Sequence, residues 1–104
     1  MMGQNRLDLK EANANVIAYL KKIYPSKNFV LRYTNETFML ARFFTCQNKI
    51  FQKITFLSTK DYCLLLQKSL SNKERLVKGI TINHQNKTII YNFVSINNSR
   101  TLKR

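Results

Sequence analysis

Apolar residues near the start of the chain recur with the spacing of one helix face. The residues at intervals of three or four are Leu9, Ala12, Val16, Leu20 and Ile23. Asp8 and Glu11 have the spacing of a capping box, which begins a helix, and Pro25 cannot continue one. The pattern therefore predicts an amphipathic helix over residues 8–24.

The next part of the chain shows the period of two that is typical of strands. Apolar and polar residues alternate over 29–34 and again over 49–57. Residues 37–45 have apolar side chains at both odd and even positions, which is typical of a strand that is central or covered on both faces. The Asn-Glu pair at 35–36 and the Gln-Asn pair at 47–48 are turn formers. We predict three antiparallel strands.

A second helix and a closing hairpin follow. Ser58 and Asp61 repeat the capping-box spacing ahead of an apolar stripe over 59–70. Apolar residues over 80–82 and 89–94, separated by a polar link, are typical of a hairpin that ends by residue 97.

The end of the second helix is left open by the sequence. Ser71 and Glu74 show the capping spacing a third time, so the helix either breaks near Asn72 and restarts or runs on to Lys78. Gly79 is a natural left-handed stop in either case.

The predicted order α-β-β-β-α-β-β belongs to the α+β class, with an antiparallel sheet and helices on one face. A chain of 104 residues is of single-domain size. We expect one α+β domain over 1–97 and a basic C-terminal tail over 98–104, which has no periodicity.

Charge narrows the choice of partner. The chain has 18 Lys and Arg against 5 Asp and Glu, a net charge of +13, most of which must lie on the surface of so small a domain. A polyanion is the expected partner, because basic side chains release counterions from nucleic-acid phosphates. No helix-turn-helix, zinc finger or basic-leucine pattern is visible, so structured RNA is favoured and a small basic DNA-binding protein is an alternative.

The candidate RNA-binding residues are basic residues off the apolar helix stripe, on the predicted strands and in the tail. They are Lys10, Lys21, Lys22, Arg32, Arg42, Lys49, Lys53, Arg100, Lys103 and Arg104. On the strands they are interleaved with Tyr33, Phe43, Phe44 and Phe51, aromatic residues of a kind that can stack on bases. For these aromatics we favour a core position under the helices.

Residues suited to catalysis are sparse. The one histidine, His84, falls in the predicted hairpin turn, where we expect it to be exposed and without a catalytic partner. Cys46 and Cys63 lack further Cys or His at zinc-site spacing, and we expect buried free thiols. The acidic residues are explained as caps or turn residues. We expect no enzyme, no metal, no cofactor and no small-molecule substrate.

A membrane is the other polyanionic surface. No apolar run approaches the roughly 18 residues of a membrane span, and the start lacks a secretory apolar stretch. Gly3 follows two Met residues, unlike a myristoylation start, and the first helix has Ala14 and Ala18 where bulky anchors would be needed. We expect no membrane partner.

The whole chain resembles small ribosomal proteins in size, charge, dispersed basic residues and basic tail. Its composition is dominated by Asn, Lys, Ile, Phe and Tyr, residues with A/T-rich codons, which makes it similar to ribosomal proteins encoded in an organelle or another A/T-rich genome. The resemblance implies a structural protein of a ribosome, mitochondrial if organelle-encoded and otherwise cytoplasmic. Its partners would be rRNA and neighbouring ribosomal proteins.

A second resemblance rests on two short segments. Residues 28–33, NFVLRY, and residues 53–61, KITFLSTKD, resemble the first strand and the entry to the last helix of the small Alu-domain subunits of the signal recognition particle. Those subunits have the order α-β-β-β-α, which would cover residues 8–70 here. The resemblance implies Alu-type RNA as an alternative partner, with the hairpin over 80–97 as an addition.

Overall fold

The computed structural model describes residues 2–96, and the predicted tail over 98–104 with Arg100, Lys103 and Arg104 lies outside the described residues. The elements are β1 (Met2–Asp8), α1 (Leu9–Ile23), β2 (Asn28–Thr34), β3 (Thr37–Cys46), β4 (Lys49–Leu57), α2 (Thr59–Leu70), β5 (Arg75–Asn83) and β6 (Thr88–Ser95). Over these residues the strands pair antiparallel in a terminal sheet, β1-β6-β5, and a central sheet, β2-β3-β4. The α+β class is confirmed.

Both helices begin at the residues that the capping pattern predicts. The Asp8 carboxylate accepts the Glu11 backbone N–H at 2.8 Å, and the Ser58 hydroxyl accepts the Asp61 backbone N–H at 3.0 Å. Each cap satisfies one of the amides that have no partner inside the helix. Helix α2 spans the predicted residues 59–70 and ends close to the predicted break near Asn72, but it neither restarts nor runs on to Lys78, because β5 begins at Arg75.

Strand β1 is an addition to the predicted order. Residues 2–8 show no alternation of their own, and they are extended because β6 pairs with them, with Gln4 opposite Asn92 and Leu7 opposite Ile89. A partner more than eighty positions away leaves no local signal in the sequence. The strands consequently divide between two sheets, where the pattern predicted one.

Strand β5 begins earlier than residue 80, where we predicted it. Val77, the third residue of β5, is fully buried, so packing against the core holds the strand from near its start. Gly79 has the left-handed conformation that we predicted, with φ of +66°, but it lies in a β-bulge between Lys78 and Thr81 and not at a helix end. The bulge explains why the alternation starts at residue 80.

The core lies between the helices and one face of the central sheet. Phe38 of β3 and Tyr62 of α2 are both fully buried, and their rings stack with centroids 3.7 Å apart. The Tyr62 hydroxyl donates to Asn13 Oδ1 of α1 at 2.6 Å, which ties the two helices together near their first turns. Burial raises the pKa of Tyr62, so its phenol stays protonated and remains a donor.

His84 lies in the turn between β5 and β6, as predicted, but it is not exposed as expected, because it contacts the central sheet. It is half-buried, its ring stacks on Tyr33 with centroids 5.8 Å apart, and its Nδ1 lies 2.6 Å from the Tyr33 hydroxyl oxygen. Burial, and secondarily the Glu36 carboxylate, raise the pKa of Tyr33. The histidine therefore has a structural partner that only the tertiary fold supplies.

Both thiols are free, as expected, but the expected burial is wrong for Cys46. Cys63 is half-buried, and burial raises the pKa of its thiol, which makes it a weak nucleophile at neutral pH. Cys46 is exposed, because it is the last residue of β3 and is paired only with Lys49 across the turn.

Candidate nucleic-acid interface

The fold places both helix N-termini at one end of the molecule, which we call the mixed end. The Tyr62–Asn13 hydrogen bond joins the starts of α1 and α2, and Leu9 N–H donates to the Lys87 carbonyl at 2.9 Å. The β2–β3 turn is at the same end, since Phe38 pairs with Leu57 just before α2. The charged residues of this end are Asp8, Glu11, Glu36, Asp61, Lys10, Lys60 and Lys87.

The opposite end, which we call the basic end, collects the C-termini of both helices and the β3–β4 turn. Lys21 Nζ at the end of α1 donates to Asn28 Oδ1 at 3.4 Å, and Asn28 pairs with Phe43 near that turn. The basic residues of this end are Lys21, Lys22, Lys27, Arg42, Lys49, Lys53, Lys68, Lys73 and Arg75. Glu74 is the one acidic residue of the chain that lies there.

Helix electrostatics favours this separation of charge. The partial positive charge of a helix N-terminus stabilises Glu11 and Asp61, and the partial negative charge of a C-terminus stabilises basic residues in the last turn. Because α1 and α2 start at the same end, both contributions add. The parallel direction of the two helices therefore stabilises the separation of acidic and basic residues between the two ends of the molecule.

On the helix side of the basic end, a groove runs between the last turns of α1 and α2. It has a volume of about 290 Å³, and Lys22 and Lys68 line it from opposite helices. Both lysines are exposed, so their ammonium groups are available to a phosphate. The Ser71 hydroxyl in the same groove accepts the Val77 backbone N–H at 3.0 Å.

On the sheet side of the basic end, basic and aromatic residues alternate along β3 and β4. Phe44 and Phe51 stack with ring centroids 5.7 Å apart, and the Arg42 guanidinium lies 5.7 Å from the Phe44 centroid. The expected core position is right for Tyr33, which packs against the core, and wrong for Phe51, which is 44% exposed. Helix α1 ends before it reaches this corner of the sheet, so these rings are left accessible.

The structure brings together five of the predicted residues at the basic end: Lys21, Lys22, Arg42, Lys49 and Lys53. Lys10 lies at the mixed end, and Arg32 is exposed on the other face of β2. The prediction missed Lys68, which the last turn of α2 could have indicated. It also missed Arg75, whose guanidinium lies 4.5 Å from the Phe93 ring centroid. Arg75 is the first residue of β5, and we had predicted that this strand begins later.

The face of the central sheet that points away from the helices is largely uncovered, and we call it the outer face. Ile50 and Phe56 of β4 are 77% and 68% exposed, and Ile54 is also exposed. The register places Ile54 beside Ala41 and Phe56 beside Met39 on this face. Among residues 2–96, β4 pairs only with β3, and none of these residues forms a strand along its other edge.

Within residues 2–96, no group of three or more His, Cys, Asp and Glu side chains is arranged to hold a metal ion. None of the helices in that range has the length and apolar character needed to cross a bilayer. Comparison with protein-family models, with curated proteins and with solved structures gives no match for this chain.

Proposed function

We propose that this protein is a structural RNA-binding component of a ribonucleoprotein, most consistent with a ribosomal protein, and that the basic end is its RNA-binding surface. The observation that carries the proposal is the separation of charge, which leaves Glu74 alone among many Lys and Arg side chains. A mitochondrial ribosome is the setting that the A/T-rich composition favours.

The shape of the basic end suits contact with more than one RNA segment. The protein is a slab with extents of 55 × 36 × 18 Å. Lys22 and Lys68 face the helix side, whereas Arg42 and Lys53 face the corner of the sheet. RNA segments at the groove and at this corner can thus be neutralised by one small domain, which lowers the repulsion between their phosphates.

A second candidate is a subunit that binds Alu-type RNA. The order α1-β2-β3-β4-α2 matches the order of the Alu-domain subunits that residues 8–70 resemble, while β1, β5 and β6 form a further sheet. Such a subunit would need a second, homologous small protein before it holds the RNA. Tight binding of Alu-type RNA by this chain alone would count against that candidate.

The first prediction concerns the salt dependence of binding to structured RNA. If six to ten phosphates are contacted, the affinity should fall about 10³- to 10⁵-fold between 50 and 200 mM salt. Fluorescence anisotropy with a labelled rRNA-like stem-loop measures this directly. Anionic vesicles at the same salt concentrations are the control, and we expect weaker binding to them. An affinity for RNA that hardly changes with salt would contradict the proposal.

A further inference from the structure

Arg42 and Lys53 are held opposite one another in neighbouring strands. The register pairs them directly across β3 and β4, where like charges destabilise a sheet. Arg42 Nε is buried and has no hydrogen-bond partner among the described residues. A buried donor without an acceptor is costly, so this corner of the fold carries two electrostatic penalties, and a bound anion would relieve the repulsion between Arg42 and Lys53.

The last turn of α1 and the loop after it complete a pocket in front of this pair. Its volume is about 150 Å³, and its lining includes Tyr24, Phe29 and Thr55 with Arg42 and Lys53. Tyr24 is 43% exposed, and the Lys27 ammonium lies 5.5 Å from the centroid of its ring. Arg42 and Lys53 therefore share the pocket with an accessible aromatic ring, and a third cation lies beside that ring.

We propose that this pocket binds the phosphodiester of an unpaired RNA nucleotide. Arg42 and Lys53 hold the phosphate oxygens, and Tyr24 stacks on the base beside it. The proposal rests on the proposed RNA-binding function and deepens it, because it assigns a single-stranded segment to one corner of the basic end.

The size and chemistry of the pocket favour this ligand. Pockets for whole small molecules have volumes of about 300–1,000 Å³, so a cavity of about 150 Å³ takes a phosphate group and leaves the base at the rim. The planar guanidinium of Arg42 offers several donors to phosphate oxygens. A base within a helix is not free to stack on Tyr24, which selects an unpaired nucleotide.

Thermal unfolding with inorganic phosphate tests the anion site without any RNA. We expect phosphate to raise the Tm of the wild-type protein above its value in chloride of equal ionic strength. Arg42→Gln should reduce this rise, and its Tm in chloride should equal or exceed that of the wild type, because the repulsion with Lys53 is gone. Lys60→Gln, an exposed lysine at the mixed end, is the matched control and should keep the rise.

A purely structural role for Arg42 predicts the reverse result. Arg42→Gln would then lower the Tm in chloride and leave the phosphate-induced rise intact. That outcome would overturn the proposal, as would a wild-type Tm that does not respond to phosphate.

Binding of labelled octauridylate and of an RNA hairpin with a fully paired stem tests the nucleotide. Tyr24→Leu and Arg42→Gln should each weaken octauridylate binding about tenfold and hairpin binding less than about threefold. Equal losses of affinity for the two RNAs would overturn the proposal that this pocket binds an unpaired nucleotide. The proposed RNA-binding function would still hold. If phosphate raises the Tm but neither RNA binds, the anion site is supported and the proposed RNA-binding function is contradicted.

Discussion

Replacing Lys21, Lys22 and Lys68 together by Gln should lower the affinity for structured RNA by about 100-fold at 0.1 M salt. Each phosphate contact adds about 0.7–0.9 to the slope of log affinity against log salt, so three contacts account for roughly two orders of magnitude at that salt. The slope itself should fall by about 2 to 3. Anisotropy titrations from 50 to 300 mM salt measure both quantities.

The control removes the same charge from the mixed end. Replacing Lys10, Lys60 and Lys87 by Gln should lower the affinity less than about tenfold, since the Debye length at 0.1 M salt is about 10 Å and the two ends are farther apart. Equal losses in the two triple variants would show that net charge alone governs binding. The basic end would then have no special role.

The second large effect is on stability. Phe38→Ala should lower the free energy of unfolding by about 3–5 kcal/mol, because it removes a fully buried ring that stacks on Tyr62. Small domains are stable by only about 5–15 kcal/mol, so this loss should remove a large share of the total stability and lower the Tm. Thermal unfolding followed by circular dichroism measures the change.

Phe56→Ala is the matched substitution on the outer face. Phe56 is 68% exposed, so its loss should change the free energy of unfolding by less than about 1 kcal/mol. If Phe56→Ala costs as much as Phe38→Ala, then the outer face is packed against something and the core does not lie only under the helices.

The helices could be predicted from the sequence because their signals are local. Asp8 with Glu11 and Ser58 with Asp61 each bring donor and acceptor together within one turn, and the apolar stripe lies on the same segment. Strand β1 had no such signal, because its hydrogen bonds come from β6 at the other end of the chain. The same reason explains His84, whose partner Tyr33 lies on a different sheet.

The basic residues of the site could be named in advance, but their grouping could not. Lys22 and Lys10 look alike in the sequence, since both lie off the apolar stripe of one helix. They fall at opposite ends of the molecule because a helix of 15 residues is about 22 Å long. Lys68 of α2 lies across a groove from Lys22 because the two helices start at the same end. Only the tertiary fold determines this arrangement.

The outer face of β4 has a consequence for how the free protein behaves in solution. Ile50 and Phe56 are exposed beside a strand edge that no other strand within residues 2–96 covers, and such a surface is prone to association between copies. At low salt the charge of +13 keeps copies apart, but at 1 M salt the Debye length is only about 3 Å and this repulsion is screened. A high-salt wash that strips RNA from the purified protein therefore also removes its colloidal protection, so the wash is best done at low protein concentration and followed by exchange into a low-salt buffer once the RNA has been removed.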